Sequence, residues 1–218
     1  TMHNVIRTFQ MGAGQYLLNS LIISILVAVI GVVASFVTAY LATRIPSRLS
    51  SLLHLVSISA LAIPGIVLGL AYVLLFRGTF IYGTLSILVL VNLVHFFSSP
   101  YLIMYNTLGK INENLEAVGT TLGVSRMRII LDVIIPQSRT TLLEMFAYLF
   151  VNSMMTISAV SFLATTGNKP ISLMINQFEA QMMLESSAFV SLIILVTNLI
   201  VKFGVYIFKR RMIIKGVA

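Results

Sequence analysis

Five long stretches of this chain carry almost no charge, and that feature constrains its fold more than any other. Tyr16 to Thr43 holds no charged residue. Leu49 to Phe76 holds only His54, and Ile81 to Asn106 only His95. Thr140 to Leu163 has Glu144 near its start, and Ser186 to Phe208 has Lys202 near its end. A helix needs about 20 mostly apolar residues to cross roughly 30 Å of hydrocarbon, and each stretch is long enough. The pattern predicts an all-α, polytopic membrane protein with five transmembrane helices. Tyr16–Thr43 is too long for the core of a signal peptide.

Composition agrees. Apolar residues make up 58% of the 218 residues and charged residues 9%, against about 45–50% and roughly 25% in soluble domains. So little polar surface cannot cover a water-soluble globule, which excludes a disordered chain and an ordinary soluble enzyme. The formal charge of +8 would suggest nucleic acid in a soluble protein. Here the basic residues fall in short clusters between apolar stretches, as topology signals do, so no nucleic-acid partner is expected. The absence of cysteine removes disulfides, thiolate metal sites and cysteine nucleophiles. Trp is absent as well, so interfacial anchoring falls to Tyr and Phe.

Those clusters set an expected orientation. With the C-terminus in the cytoplasm, five crossings put the N-terminus outside. Arg44, Arg48, Lys110, Arg126, Arg128, Arg139, Lys209, Arg210, Arg211 and Lys215 then lie inside, and Arg7, Arg77 and Lys169 outside. Ten against three is a clear positive-inside bias. Lys202 lies close enough to its inner helix end to snorkel.

The inner loop from about Asn106 to Arg139 is too long for a hairpin connector. Asn112 or Asn114 suits a helix start, Glu113 and Glu116 suit a first turn, and Gly123 suits a left-handed stop. That spacing predicts a short helix over Glu113–Leu122. Glu116, Gly119 and Gly123 share one face, where two glycines permit close approach. A second helical run is expected from Ser125, as its cap, to Ile135, and Pro136 is expected to break or kink the chain there. Outside, Gly167, Asn168 and Pro170 break the chain, and Ile171–Met183 reads as a short amphipathic helix at the surface or dipping into a cavity mouth.

From Leu115 to Pro136 the sequence resembles the signature loop of binding-protein-dependent permeases of type I ABC importers. Leu122-Gly123-Val124-Ser125 matches the Leu-Gly-Ala-Ser core of that loop, and Ile135-Pro136 matches its distal Leu-Pro. Aligned on Gly123, the signature glutamate falls on Ala117 and its two alanines on Val118 and Gly119, with Glu116 one position early. The resemblance covers nearly the whole chain: the family core has five helices with this loop between the third and fourth, on the cytoplasmic side. The Ile63-Pro64-Gly65 break in the second stretch also resembles the family. Ile157 to Leu163 is similar in texture to permeases for ferric iron or 2-aminoethylphosphonate.

The resemblance implies a single transmembrane permease domain over residues 1–218, in the cell or inner membrane. Family members usually carry a further N-terminal helix, and the chain starts at Thr1. It is therefore read as a fragment or as the C-terminal half of a fused, double-length permease. The loop helix would be a coupling helix, with Glu116, Ala117, Gly119, Thr120, Leu122, Gly123, Ser125 and Pro136 contributing to docking on a cytoplasmic ABC ATPase dimer. A second permease domain would complete the pathway, and an extracytoplasmic solute-binding protein would deliver cargo. ATP and Mg would be bound by the ATPase; this chain is expected to hold no cofactor and to catalyse no reaction.

Other residues admit two readings. His95 lies mid-membrane, where an ionisable side chain suggests function and a hydrogen bond within the bundle is the alternative. Pro64-Gly65 is either a packing kink or an unwound spot facing a cavity. Asn152, Thr156 and Ser158 either line a pathway or glue helices together. No catalytic set, metal-ligand spacing or Walker lysine motif appears. An ion-coupled secondary transporter would need internal repeats and intramembrane carboxylates, and only Glu144 lies within a span. A non-transporting scaffold would leave the loop unexplained.

Overall fold

Along the uncharged stretches the computed structural model is helical, though not always straight. It describes residues 2–214; Thr1 and residues 215–218, with the topology lysine Lys215, lie outside. α1 (Met2–Gln10) turns at Gly12, in the left-handed region at φ +93°, into the central α2 (Ala13–Arg44). One stripe of α2 is small and buried: Ser20, Ser24, Ala28, Gly31, Ser35 and Ala39. Small residues let helices approach where lipid supplies no hydrophobic drive between them. A Cβ on Gly31 would lie 2.7 Å from Leu149 Cδ1, which shows how closely a later helix packs there. The opposite side of α2, including Ile22, Leu26, Val29, Val33 and Val37, is exposed and apolar. That inverts the soluble pattern and suits a helix facing lipid.

The second stretch is bent. α3 (Arg48–Ser59) starts from a reciprocal Ser47–Ser50 capping box, and a 3-10 turn over Ala60–Ala62 ends it. α4 (Gly65–Phe76) then leaves at 109°. Pro64 makes the corner. It is extended (φ −60°, ψ 137°), has no N–H to continue a helix, and offers its carbonyl to Val67 and Leu68 as the next one begins. The third stretch divides into α5 (Leu85–Phe96) and α6 (Ser98–Leu108), bent by 50°. Pro100, in the first turn of α6, lacks the N–H that would bind the Phe96 carbonyl, which accounts for this kink.

The loop holds α7 (Leu115–Thr121) and α8 (Arg126–Ile129). A π-turn at Ile130–Ile134 and the single turn α9 (Ile135–Gln137) lead into α10 (Arg139–Met155). The helix expected over Glu113–Leu122 is shorter at both ends. Asn112 Oδ1 takes the Asn114 N–H at 2.9 Å, holding 112–114 in a turn, and neither asparagine caps α7 through its side chain. Ser125 sits at the N-cap of α8, but its hydroxyl makes no capping bond. Pro136 does not break the chain: the run passes through the π-turn and α9, where Pro136 sits in a first turn that needs no N–H from it.

α10 ends at Met155, not at Leu163. Thr156 turns extended, and its carbonyl accepts the Ser172 hydroxyl at 2.7 Å instead of a helical N–H. Residues 157–163 form turns in which Ala159, Val160 and Leu163 are fully buried. α11 (Ser172–Ala180) buries Ser172, Leu173, Met174 and Phe178 and exposes Asn176, Glu179 and Ala180, so it is two-faced as expected, with one side in the core and Asn176 and Gln177 at a cavity mouth. α12 (Leu184–Ile214) closes the fold and exposes Leu192, Leu195, Leu199, Ile200 and Phe203.

Among the described residues, α2 and α12 are long and apolar enough to cross a membrane alone. Counting each bent pair, α3–α4 and α5–α6, as one broken span gives up to four. α10, with 17 residues, is ~26 Å long, a little short of the hydrocarbon thickness.

Candidate functional site

Two places bring expected site residues together. The first is the loop at the C-terminal end of α2. Arg44 ends that helix and reaches into the loop. Its Nη2 donates to the carbonyls of Leu108 (3.0 Å) and Ile111 (2.9 Å), and its Nη1 to that of Asn112 (3.2 Å). Nη1 also lies 3.7 Å from Glu116 Oε2, with the two side chains only 5% and 8% exposed. One turn back, the Tyr40 hydroxyl donates to Glu116 Oε1 at 3.3 Å. Glu116 therefore points inward and ties α7 to α2. A guanidinium suits this task because its planar fork can serve several acceptors at once.

Gly119 is filled from within: a Cβ there would collide with Ile129 of α8, so the glycine lets α7 and α8 pack together. Gly123 stops α7 as expected. Its φ is +73°, the Val124 N–H bonds the Gly119 carbonyl at 2.9 Å, and the Gly123 N–H bonds the Thr120 carbonyl at 3.1 Å. This is a Schellman close, which a left-handed glycine makes at little steric cost. With one face latched, the other is open. Ala117, Val118, Thr120, Thr121, Leu122 and Gly123 are exposed, Val118 at 55% and Leu122 at 74%. Val118 and Leu122, four residues apart, form a small apolar tip. Ser125 is exposed beside it, whereas Pro136 lies half-buried at the foot of α10.

The second place is the corner between α3 and α4. A Cβ on Gly65 would lie 2.5 Å from Ser158 Oγ and 3.0 Å from His95 Nε2. The corner thus meets α5 and the turn after α10, and Pro64, Gly65, His95 and Ser158 gather at one junction. Four residues on, a Cβ on Gly69 would fall 2.6 Å from the Ala159 carbonyl oxygen. The His95 ring is tilted by 57° against that of Phe96, with centroids 4.6 Å apart, and its Nδ1 is buried without a hydrogen-bond partner. Asn152 does not join the junction through its amide, which donates to the Tyr148 carbonyl of its own helix. Thr156 uses its carbonyl to anchor Ser172. Among the described residues no group of three or more His, Asp and Glu side chains is placed to hold a metal.

Arg44 is the residue that sequence reasoning missed. It reads there only as one of the topology charges. Its acceptors are backbone carbonyls more than 60 positions away, and backbone acceptors leave no mark on residue identity. The one available signal was an arginine placed last on a long apolar helix.

Comparison with known proteins adds three findings. A family model for binding-protein-dependent transport system inner membrane components matches residues 31–214. Among solved structures, the fold is similar to an inward-facing MetNI methionine ABC transporter in its CY5 native crystal form. The TM-score is 0.71 at 16% identity, covering 95% of this chain and 97% of that one. The selenomethionine-soaked crystal form gives 0.73 at 15% identity, covering 88% and 92%. No curated protein sequence matches significantly.

Proposed function

This chain belongs to the family of binding-protein-dependent transport system inner membrane components, an ABC importer permease family, and on that premise we propose how it works. The loop helix α7 faces the cytoplasm and docks into a cleft on an ABC ATPase. The observation that carries this reading is the division of α7 into two faces. One is locked to α2 through Glu116 and Arg44; the other presents Val118 and Leu122 to a partner. ATP and Mg sit in the ATPase dimer, and closure of that dimer moves two such loops together. The latch passes the displacement to α2, which α10 packs against through Gly31 and Leu149.

A second permease domain, identical, homologous or fused to this one, completes the pathway. An extracytoplasmic binding protein delivers cargo at the end of the bundle opposite α7. The Pro64–Gly65 corner, His95 and Ser158 line the route, since non-helical backbone at membrane depth is tolerated where it borders protein or a water-filled cavity. With the turns 157–163, α10 makes the fourth of the five crossings. The positive-inside bias supports an N-terminus outside and a C-terminus inside. The texture of Ile157–Leu163 favours 2-aminoethylphosphonate or ferric iron as cargo.

Leu122→Asp tests the docking face. Leu122 is 74% exposed, so its replacement should change the stability of the chain by no more than about 0.5 kcal/mol. A carboxylate in a packed apolar interface centre should weaken assembly by about 2 kcal/mol or more, a loss of over ~tenfold in ATPase retained on purification. Transport should fall with it. Undiminished ATPase retention with full transport would remove the α7 tip from the interface.

A further inference from the structure

At the opposite end of α2 from Arg44, ~48 Å away along the helix, a cavity of about 510 Å³ lies between the first turn of α2, the segment 161–169 and α11. Tyr16, Thr165, Thr166, Asn176 and Gln177 line it, with Lys169 as the one charged residue in that lining. The cavity is built on a fixed backbone. Asn19 donates to the carbonyls of Gly167 and Lys169, both at 3.2 Å, and the Ile171 N–H donates to Ser20 Oγ at 2.8 Å. Asn168 accepts from the Thr165 N–H and hydroxyl and donates to the Thr84 carbonyl at 3.0 Å. Asn19, Ser20 and Asn168 are all buried. Lys169 is therefore held at the cavity on a braced segment.

The ammonium itself is only partly satisfied. It lies 5.7 Å from the centroid of the Tyr16 ring, within cation–π range, and donates to Gln177 Oε1. No carboxylate lies within ion-pair distance of it among the described residues. Burial pushes its pKa below the ordinary lysine value. A partly buried cation without a counter-charge is costly and is normally paired. Neutral donors beside it, the Asn176 amide and the Thr166 hydroxyl, are the groups that with an ammonium hold an oxyanion.

We propose that this cavity binds the oxyanion group of a small solute or a lipid, a phosphate, phosphonate or carboxylate, with Lys169 as its counter-charge. A bound oxyanion supplies the missing partner and returns the ammonium toward its ordinary basicity. As an entry site for cargo the proposal rests on the importer reading, and it favours an anionic cargo over a bare metal cation, which Lys169 repels. Binding itself needs no importer.

The test is residue-resolved acylation of lysines in the full chain, held in a non-ionic maltoside detergent that carries no phosphate, with inorganic phosphate, acetate or chloride at matched ionic strength. Lys110 and Lys209 are internal controls in the same molecule. At phosphate about ten times its dissociation constant, occupancy should slow Lys169 modification ~tenfold, with Lys110 and Lys209 unchanged. Slowing by phosphate or acetate in the detergent alone places a free solute oxyanion in the cavity. Slowing that appears only when phosphatidylglycerol is added to the micelles makes the oxyanion a headgroup. Equal rates at Lys169 in every arm, or equal slowing by chloride, would overturn the proposal. Since the readout is occupancy and not transport, its failure leaves the importer reading standing, and loss of the ATPase partner would leave this result unaffected.

Discussion

Replacing Arg44 with Met should cost the chain about 3–5 kcal/mol, because Glu116 stays buried with its charge partner removed. The carbonyls of Leu108, Ile111 and Asn112 lose their shared donor in the same step. Met keeps the length and apolar stem of the side chain, so the loss is electrostatic and not a cavity. Glu116→Gln should cost less, about 1–2 kcal/mol, since the amide oxygen still accepts from Tyr40 and Arg44 keeps its three carbonyls. The double change Arg44→Met with Glu116→Leu should be milder than the sum of the singles, because no charge is stranded. Thermal unfolding of the purified full chain checks the series. Transport should fall at least ~tenfold in Arg44→Met while the ATPase still binds, which is the signature of a broken link and not of a lost interface. An additive double variant, or Arg44→Met with unchanged melting and transport, would deny the latch its role.

Gly69→Val should be the most damaging change at the α3–α4 corner. The new Cβ would meet the Ala159 carbonyl oxygen at 2.6 Å, and backbone cannot swing aside as a side chain does. Overpacking of this kind costs about 3 kcal/mol, well above the few tenths that helix propensity returns on replacing glycine. Gly65→Ala offers the contrast. Its Cβ would meet Ser158 Oγ and His95 Nε2, both on rotatable side chains. Gly65→Ala should therefore be milder, and Ser158→Ala should restore part of its loss. Melting temperatures of the three variants and transport by the assembled importer check the order. If Gly65→Ala and Gly69→Val proved equally mild, the close packing of α4 on residues 158–159 would be absent in the membrane.

The extents of α2 and α12 were legible because membrane spans are written in one dimension. A run without charge and a basic cluster need no knowledge of tertiary neighbours. Gly123 was legible for a similar reason: a left-handed stop is a local property, and glycine is the residue that meets it cheaply. The corner at Pro64 could be located but not measured. A missing N–H says where a helix stops, while the 109° turn depends on α4 settling against Ala159. Pro100 passed unread because a proline in a first turn is ordinary, and only its position four residues after Phe96 made it a kink. The end of α10 was overrun by eight residues, since Thr156 to Leu163 is as apolar as a span. What ends the helix is the Ser172 hydroxyl on the Thr156 carbonyl, a contact between segments.

The candidate site divides along the same line. Gly65, His95 and Ser158 were each visible as unusual residues for a membrane interior, and the fold brings them to one junction. The orientation of Glu116 was invisible, because a seven-residue helix with acid and glycine on one face reads equally well turned outward. Burial against Arg44 turns that face inward and leaves Val118 and Leu122 outside.

The central claim is that the open face of α7 docks on an ATPase and moves with its nucleotide state. The chain has no cysteine, so Thr120→Cys gives a single reporter on the exposed side of α7, beside Leu122. Paired with single cysteines along the cleft of a candidate partner ATPase, in membranes where both proteins are folded, it should crosslink efficiently. The yield should change when ATP is added. No crosslink at Thr120 or its exposed neighbours, with or without ATP, would contradict the account.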